Sequence, residues 1–199
     1  MRQEFFKNAR RVVVKIGTSV LESSGELDER MVDRLARDLA RVRSAHGQEI
    51  VLVSSGAIAS GMRIMGLHKR PTQLEKLQAL AAIGQRSLMQ VYDAAFRKVD
   101  MTTAQILLTW DDLGIRKRYE NTQKTVAQIL SYGAIPIINE NDTVATEEIQ
   151  FGDNDRLSAM VAMLIDADLF TPLPRFRLGE LDLPLGGVNL LPFGGENLH

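Results

Sequence analysis

Apolar residues near the start of the chain alternate between short β-branched runs and a stripe with helical spacing. The run from Arg11 to Ile16 predicts a buried strand that is closed by a turn at Gly17. The stripe predicts a helix with Asp28 as its N-cap and Gly47 just beyond its end. Its apolar face consists of Met31, Leu35, Leu39 and Val42. A second strand over Ile50–Val53 follows, and the order strand, helix, strand indicates a parallel crossover.

The same alternation continues to about residue 169. Ser54, Ser55 and Gly56 turn the second strand into another helix. The later elements predicted are a helix over Gln73–Val99, a strand over Thr102–Leu108, a helix over Arg116–Tyr132 with Gly133 as C-cap, a strand over Ala134–Ile138, a polar loop over Asn139–Asp153, and a helix whose apolar face holds Leu157, Met160, Val161, Leu164 and Ile165. This order predicts an α/β sandwich with a mainly parallel sheet and with loops at the carboxyl ends of the strands.

The pattern changes after Phe170. Residues 171–199 contain four of the six prolines of the chain, together with several glycines, and this density argues against a long helix or a central strand. The same stretch is rich in leucine and phenylalanine, unlike an ordinary solvated linker. We therefore predict a folded domain over residues 1–170 and an irregular tail over residues 171–199.

Composition excludes several classes of protein. The 199 residues carry 24 basic and 25 acidic side chains, a net charge of -1, which argues against a nucleic acid or an anionic membrane as partner. The chain has no cysteine and three scattered histidines, so no disulfide and no metal site is expected. The chain shows no signal-peptide pattern and no run of ~20 apolar residues, which predicts a cytoplasmic enzyme or binding domain.

The loop after the first strand brings a lysine next to a glycine. A lysine at the end of a buried apolar strand must extend its ammonium toward a ligand, toward solvent or to an internal partner. Gly17, close to Lys15, allows backbone N–H groups to approach an anion. The sequence contains neither a P-loop nor a G-x-G-x-x-G motif, so this loop matches no standard nucleotide motif.

The turn at Ser54, Ser55 and Gly56 lies between a strand and a helix. Such a turn directs free N–H groups and the positive end of the helix dipole at one point, which suits a carboxylate or a phosphate. One alternative is a serine nucleophile, but the turn lacks the G-x-S-x-G pattern. The other alternative is simple capping of the helix by one of the serines.

Acidic and amide side chains are concentrated in the loop after the predicted strand Ala134–Ile138. Asp153 fits a helix cap, whereas Asp142 and Asn154 together suit the ammonium and the carboxylate of a free amino acid. The oxygen-rich loop does not match the spacing of a Ca²⁺-binding loop. Because the carboxyl ends of parallel strands share one edge of a sheet, these three loops are expected to meet there.

Four segments resemble the signature segments of the glutamate 5-kinases, a branch of the amino acid kinase family. They are V-V-V-K-I-G-T-S-V-L, V-S-S-G-A-I-A-S-G, I-N-E-N-D-T-V-A-T and F-G-D-N-D-R-L-S-A, and the match runs from about Arg11 to Leu169. The resemblance implies a three-layer α/β/α sandwich and ATP-dependent phosphorylation of the γ-carboxylate of L-glutamate, the first step of proline biosynthesis. It also implies Mg²⁺ and a homo-oligomer that is inhibited by proline.

The resemblance also implies roles for individual residues. Lys15 contacts the transferring phosphoryl group and is therefore both a catalytic and an ATP-binding residue. Gly17 and Gly56 supply backbone donors to the reacting groups, and Asp155 organises the catalytic lysines and the loop. By the same resemblance, the residues expected to bind glutamate are Ser55, Asp142 and Asn154.

The chain departs from this family after Leu169. Members of the family continue with a Thr-Asp pair, a Gly-Leu-Tyr turn and a Gly-rich segment, which build the nucleotide site, and many carry a further RNA-modification-type domain. Residues 171–199 match none of these segments. We therefore expect a glutamate-binding half joined to an unrelated tail, without ATP binding or turnover of its own. The alternatives are a kinase for aspartate or acetylglutamate, and a non-catalytic fragment that binds glutamate, proline or an intact subunit.

Overall fold

The computed structural model describes residues 9–23, 26–144 and 154–173, which form seven strands and seven helices. The strands are β1 (Arg11–Ile16), β2 (Glu22–Ser23), β3 (Glu26–Leu27), β4 (Glu49–Ser54), β5 (Thr103–Leu108), β6 (Ile135–Glu140) and β7 (Leu169–Leu173). The helices are α1 (Thr18–Leu21), α2 (Glu29–His46), α3 (Ala57–Ile64), α4 (Leu74–Arg97), α5 (Trp110–Gly114), α6 (Arg116–Ser131) and α7 (Asn154–Leu164). None of these helices is long and apolar enough to cross a bilayer.

The main sheet has the strand order β5-β6-β4-β1-β7, and every neighbouring pair in it is parallel. At its centre, Val13 of β1 lies opposite Val51 of β4 on one side and Phe170 of β7 on the other. Strands β2 and β3 form a separate antiparallel ribbon. The parallel crossovers confirm the predicted α/β class, because parallel neighbours must be joined by connections that cross over the sheet.

Helices cover both faces of this sheet. On one face, Val12, Val14 and Ile16 of β1 pack with buried residues of α2 and α4. On the other face, Val13 packs with buried residues of α5, α6 and α7. Side chains alternate between faces along a strand, so a strand that is buried on both faces needs the continuous apolar run seen in β1. The result is the predicted three-layer α/β/α sandwich.

The last described strand extends beyond residue 170, where the irregular tail was predicted to begin. Strand β7 continues through Thr171, Pro172 and Leu173, which the sequence analysis assigned to an irregular tail. Pro172 is tolerated because β7 pairs with β1 and ends the sheet within the described ranges, where one side of a strand needs no ladder partner. Residues 174–199, the remainder of the predicted tail, lie outside the described residues.

The structure also moves other predicted boundaries. Strand β6 runs to Glu140, so Asn139 and Glu140 belong to a buried strand and not to the polar loop. The short helices α1 and α5 carry too few turns to show a periodic stripe and were not predicted. Residues 145–153, which include the predicted cap Asp153, lie outside the described residues.

Two glycines set the distance between helices α3 and α4. A Cβ atom added to Gly84 would lie 1.8 Å from the carbonyl oxygen of Ala57, and one added to Gly61 would lie 1.9 Å from that of Leu80. Both distances are far below van der Waals contact, and in both cases the obstacle is rigid backbone. The two helices therefore meet backbone against backbone, and this contact holds the first turn of α3 at the edge of the sheet.

We expect Gly84→Ala to lower the free energy of unfolding by about 3 kcal/mol or more, because α3 and α4 must separate to admit the methyl group. Urea denaturation measures this change. Gly114→Ala is the matched control, since a Cβ atom at Gly114 would meet nothing within 4 Å. Similar losses in the two variants would contradict the proposed helix contact.

Candidate functional site

Three central strands end at the same edge of the sheet, and the segments around these ends enclose a cavity of about 150 Å³. The predicted site residues that line it are Gly17, Ser55, Gly56, Asp142 and Asn154. The lining residues that were not predicted are Thr18, Ile58, Ala59, Arg70, Asn139 and Glu140. The cavity thus joins groups from all three loops that the sequence analysis selected.

The turn between β4 and α3 forms one wall of the cavity. The Ser55 N–H donates to the carbonyl oxygen of Ile16 at 3.0 Å, which ties the ends of β4 and β1 together. Gly56 precedes α3 with a φ of 102°, in the left-handed region that favours glycine, and it caps the helix without a side chain. The first turn of α3 therefore presents its positive end at the cavity, where an anionic group is stabilised.

Ser54 does not contribute a nucleophile to this wall. Its side chain is fully buried, and its hydroxyl lies 2.9 Å from the hydroxyl of Tyr92 on α4. Burial raises the pKa of Tyr92, so this phenol stays protonated in the core. The Ser54–Tyr92 pair anchors the end of β4 to α4 and is not among the groups that line the cavity.

The other wall contains buried amide side chains. The Asn154 amide nitrogen donates to the carbonyl oxygen of Ser54 and, at 3.1 Å, to the Oδ1 atom of Asn139. Asn139 in turn donates from Nδ2 to Oε1 of Gln85 at 2.8 Å. Asn139, Asn154 and Gln85 are all at least nine-tenths buried, so these hydrogen bonds satisfy amide groups that have little access to water.

Two carboxyl groups stand at the end of β6, and burial perturbs both. Burial, and secondarily the nearby charge of Asp142, raises the pKa of Glu140 to about 8. Burial also raises the pKa of Asp142 to about 6, and the positive charge of Arg70 opposes this shift. Carboxyl groups with raised pKa values in a cleft are typical of binding and catalytic sites, because stability alone does not favour them.

Lys15 and Asp155 form an ion pair beside the cavity. The Lys15 Nζ atom lies 2.6 Å from Oδ1 of Asp155, and the lysine side chain is 13 % exposed whereas the aspartate is 60 % exposed. A Cβ atom on Gly17, a cavity residue, would lie 3.9 Å from the same Nζ atom. The structure therefore brings Lys15 and Asp155, two of the four predicted catalytic residues, together next to the cavity that Gly17 and Gly56 line, and the roles of all four stay predictions.

Arg70 and Glu140 are charged lining residues that the sequence analysis did not select. Glu140 was visible in the I-N-E-N-D segment, one residue from Asn139, but it was assigned to a loop, where burial was not expected. Arg70 lies between α3 and α4 in a segment without a motif, and only the packing of these helices brings it to the cavity.

The cavity contains two sets of groups, one suited to a ligand's negative group and one suited to its positive group. The first turn of α3 and Arg70 suit a carboxylate, whereas Glu140, Asp142 and the amide oxygens suit an ammonium group. A small molecule with both groups, such as an amino acid, would be recognised at both ends. In the described ranges, no group of three His, Cys, Asp or Glu side chains is arranged to hold a metal ion.

Comparison with known proteins gives consistent results. A family model described as the amino acid kinase family matches residues 10–171. A glutamate 5-kinase of Azoarcus sp. (strain BH72) is 53% identical over 163 residues, which are 81% of this chain and 44% of that protein. A glutamate 5-kinase of Marinomonas sp. (strain MWYL1) is 52% identical over 170 residues, 85% of this chain and 45% of that protein. The chain thus spans less than half the length of these relatives.

We expect Glu140→Gln to raise stability at alkaline pH. The pKa of Glu140 is about 8 in the folded protein against 4.5 as its ordinary value, so the folded protein holds the proton more tightly. Stability is therefore expected to fall as the pH rises from about 5 through 8, and the glutamine variant should escape this loss.

At pH 8.5 the gain in free energy of unfolding should be on the order of 1–3 kcal/mol relative to wild type, measured by urea denaturation. Glu120→Gln serves as the control, because Glu120 is half exposed and pairs with Arg116 on the helix surface. If the free energy of unfolding changes with pH in the same way for wild type and Glu140→Gln, the raised pKa of Glu140 is contradicted.

Proposed function

This chain belongs to the amino acid kinase family, and we propose that its cavity binds L-glutamate for phosphorylation of the γ-carboxylate by ATP. The product would be glutamyl 5-phosphate, in the first step of proline biosynthesis. Support comes from relatives named glutamate 5-kinase at about 50% identity and from the match of residues 10–171 to the family. Because the chain spans less than half of those relatives, the complete reaction is part of the proposal.

The observation that carries this proposal is the division of the cavity into acceptor and donor groups. Both amide hydrogens of Asn154 are used, by Ser54 and by Asn139. Its Oδ1 atom is therefore the polar atom that remains for a ligand, and an oxygen accepts from an ammonium group. This revises the division predicted from sequence, in which Asn154 bound the carboxylate of the amino acid.

Asp142 is the principal partner of the substrate ammonium in this proposal. It is half-buried beside Glu140, and burial raises its pKa to about 6, so an ammonium group that binds there would favour the ionised form of this carboxyl. Ser55, Gly56 and the first turn of α3 then face a carboxylate of the substrate. Breaking one side of such a buried charge pair costs about 2–5 kcal/mol, which suffices to reject ligands without the ammonium.

The chemical step needs charge stabilisation more than a base. A γ-carboxylate is already ionised at neutral pH; its oxygen would attack the terminal phosphorus of ATP as the bond to the ADP oxygen breaks, and ADP leaves. Lys15 is a cation beside the cavity, and it would stabilise the charge on the transferring phosphoryl group. Asp155 holds the Lys15 ammonium in place, and Gly17 lets backbone N–H groups approach.

Mg²⁺ belongs with the ATP phosphates in this proposal. Among the described residues, no group of three His, Cys, Asp or Glu side chains is arranged to hold a metal ion. Mg²⁺ is usually held in such enzymes by substrate phosphates and one or two carboxylates, and when bound it would neutralise phosphate charge.

A cytoplasmic homo-oligomer inhibited by proline is proposed on the same family basis. Proline also carries an ammonium and a carboxylate, so it could compete for the same groups.

Asp142→Asn should abolish the preference of the cavity for an ammonium-bearing ligand. Isothermal titration of this chain is expected to show L-glutamate binding at least about 30-fold tighter than glutarate, which lacks only the ammonium. The variant should lose about that factor for L-glutamate and change little for glutarate. Asp111→Asn, on exposed α5, is the matched control. Equal affinities of the wild type for both ligands would refute an ammonium site.

Lys15→Ala should lower kcat by ~10²-fold or more, with little change in the KM for glutamate, because the lysine acts on charge that develops in the transition state. The assay measures glutamyl phosphate formation in a chimera that joins this chain through residue 169 to the remainder of the Azoarcus relative. Lys98→Ala is the control, since Lys98 pairs with Asp33 on the surface. An unchanged kcat would mean that Lys15 is only a strand-end lysine paired with Asp155.

A further inference from the structure

Gln85 is a buried polar residue on α4 that does not line the cavity yet contacts a residue that does. The residue is 9% exposed, and its Oε1 atom accepts a hydrogen bond from Nδ2 of Asn139 at 2.8 Å. Asn139 lines the cavity together with Asn154. Gln85 is therefore linked to the amides that line the cavity through its hydrogen bond with Asn139.

Backbone groups determine the orientation of both asparagine amides. The backbone N–H of Glu140 can only donate, and it donates at 2.9 Å to Oδ1 of Asn139. The carbonyl oxygen of Ser54 can only accept, and it accepts from Nδ2 of Asn154. With Asn139 Oδ1 fixed by the backbone, its Nδ2 must face Gln85, and Gln85 must present oxygen to it.

The opposite orientation of Asn139 would place donors against donors. Rotation of this amide by 180° would set its NH₂ group against the backbone N–H of Glu140 and against Nδ2 of Asn154. In a buried network each unmatched donor is costly, because water is not there to accept from it. The backbone thus sets the orientation of Asn139, and the acceptor on Gln85 satisfies the Nδ2 group that this orientation leaves. It thereby helps to hold Asn139 Oδ1 where it accepts from Asn154.

We propose that Gln85 is a positioning residue for the cavity, which acts through Asn139 to keep the Oδ1 atom of Asn154 available to the substrate ammonium. This inference rests on the proposed function for the identity of the ligand and on the hydrogen bonds for the mechanism. Gly84, the preceding residue, packs against the carbonyl oxygen of Ala57. The contact between α3 and α4 therefore also sets the position of Gln85 relative to Asn139 near the end of β6.

The test compares two substitutions of Gln85 with one of a second buried glutamine. Gln85→Met keeps length and volume but removes the acceptor, whereas Gln85→Glu keeps an oxygen that accepts from Asn139. Gln48→Met is the matched control, because Gln48 is 1% exposed and donates to the Ala9 carbonyl oxygen at 3.0 Å, remote from the lining residues. Unfolding measurements on all three variants report the purely structural cost.

Two readouts distinguish positioning from stability. The first is the ¹⁵N–¹H spectrum of the side-chain amides without ligand, in which Gln85→Met should move the Asn139 and Asn154 signals. Gln48→Met should leave these signals in place, and Gln85→Glu should largely restore them. The second is L-glutamate affinity by titration, which Gln85→Met should weaken by about tenfold and Gln85→Glu by less than about threefold.

Unchanged amide signals and unchanged affinity in folded Gln85→Met would overturn the proposal, as would equal losses of affinity in Gln85→Met and Gln48→Met. If Gln85→Met does not fold, Gln85→Glu decides: wild-type amide signals support the proposal, and displaced signals in the folded variant overturn it. Absence of L-glutamate binding by the wild type would refute the proposed function, whereas the amide signals would still decide the role of Gln85.

Discussion

Gly61 and Gly84 let the backbones of α3 and α4 meet with no side chain between them, and the geometry of the cavity depends on this approach. Helix α3 presents its first turn at the cavity, whereas α4 carries Gln85 and Tyr92, which bind the ends of β6 and β4. A wider spacing would move the N–H groups of one wall away from the amides of the other. The close packing of α3 against α4 therefore sets the distance between the two walls of the cavity.

The cavity concentrates groups that a stable core would exclude. Glu140 and Asp142 share a buried strand end, and the pKa of each is raised because burial opposes their charge. Buried polar groups are tolerated where hydrogen bonds satisfy them, as the amides of Asn139 and Asn154 are here. A cationic ligand group would stabilise the ionised carboxyl groups in the same way.

The ion pair of Lys15 and Asp155 lies beside the cavity, near the carboxyl end of β1. Lys15 leaves the sheet at the end of β1, whereas Asp155 lies in the first turn of α7, so their contact joins two elements that are far apart in the chain. Ser55 adds a second link at the same edge through the carbonyl oxygen of Ile16. The central strand β1 therefore sets both the binding groups and the cation beside them.

Sequence patterns alone predicted the α/β class and the convergence of Gly17, Ser55, Asp142 and Asn154, because residues that follow parallel strands must meet at one edge of the sheet. They missed the strand at Pro172, since β7 ends the sheet formed by the described residues and an edge position removes the penalty that local propensity assigns to proline. Only the tertiary structure decided the burial of Glu140, the approach of Arg70 and the contact of Gln85 with Asn139. Desolvation and amide orientation depend on which helix packs over a strand end, and no local pattern of residues encodes that distance.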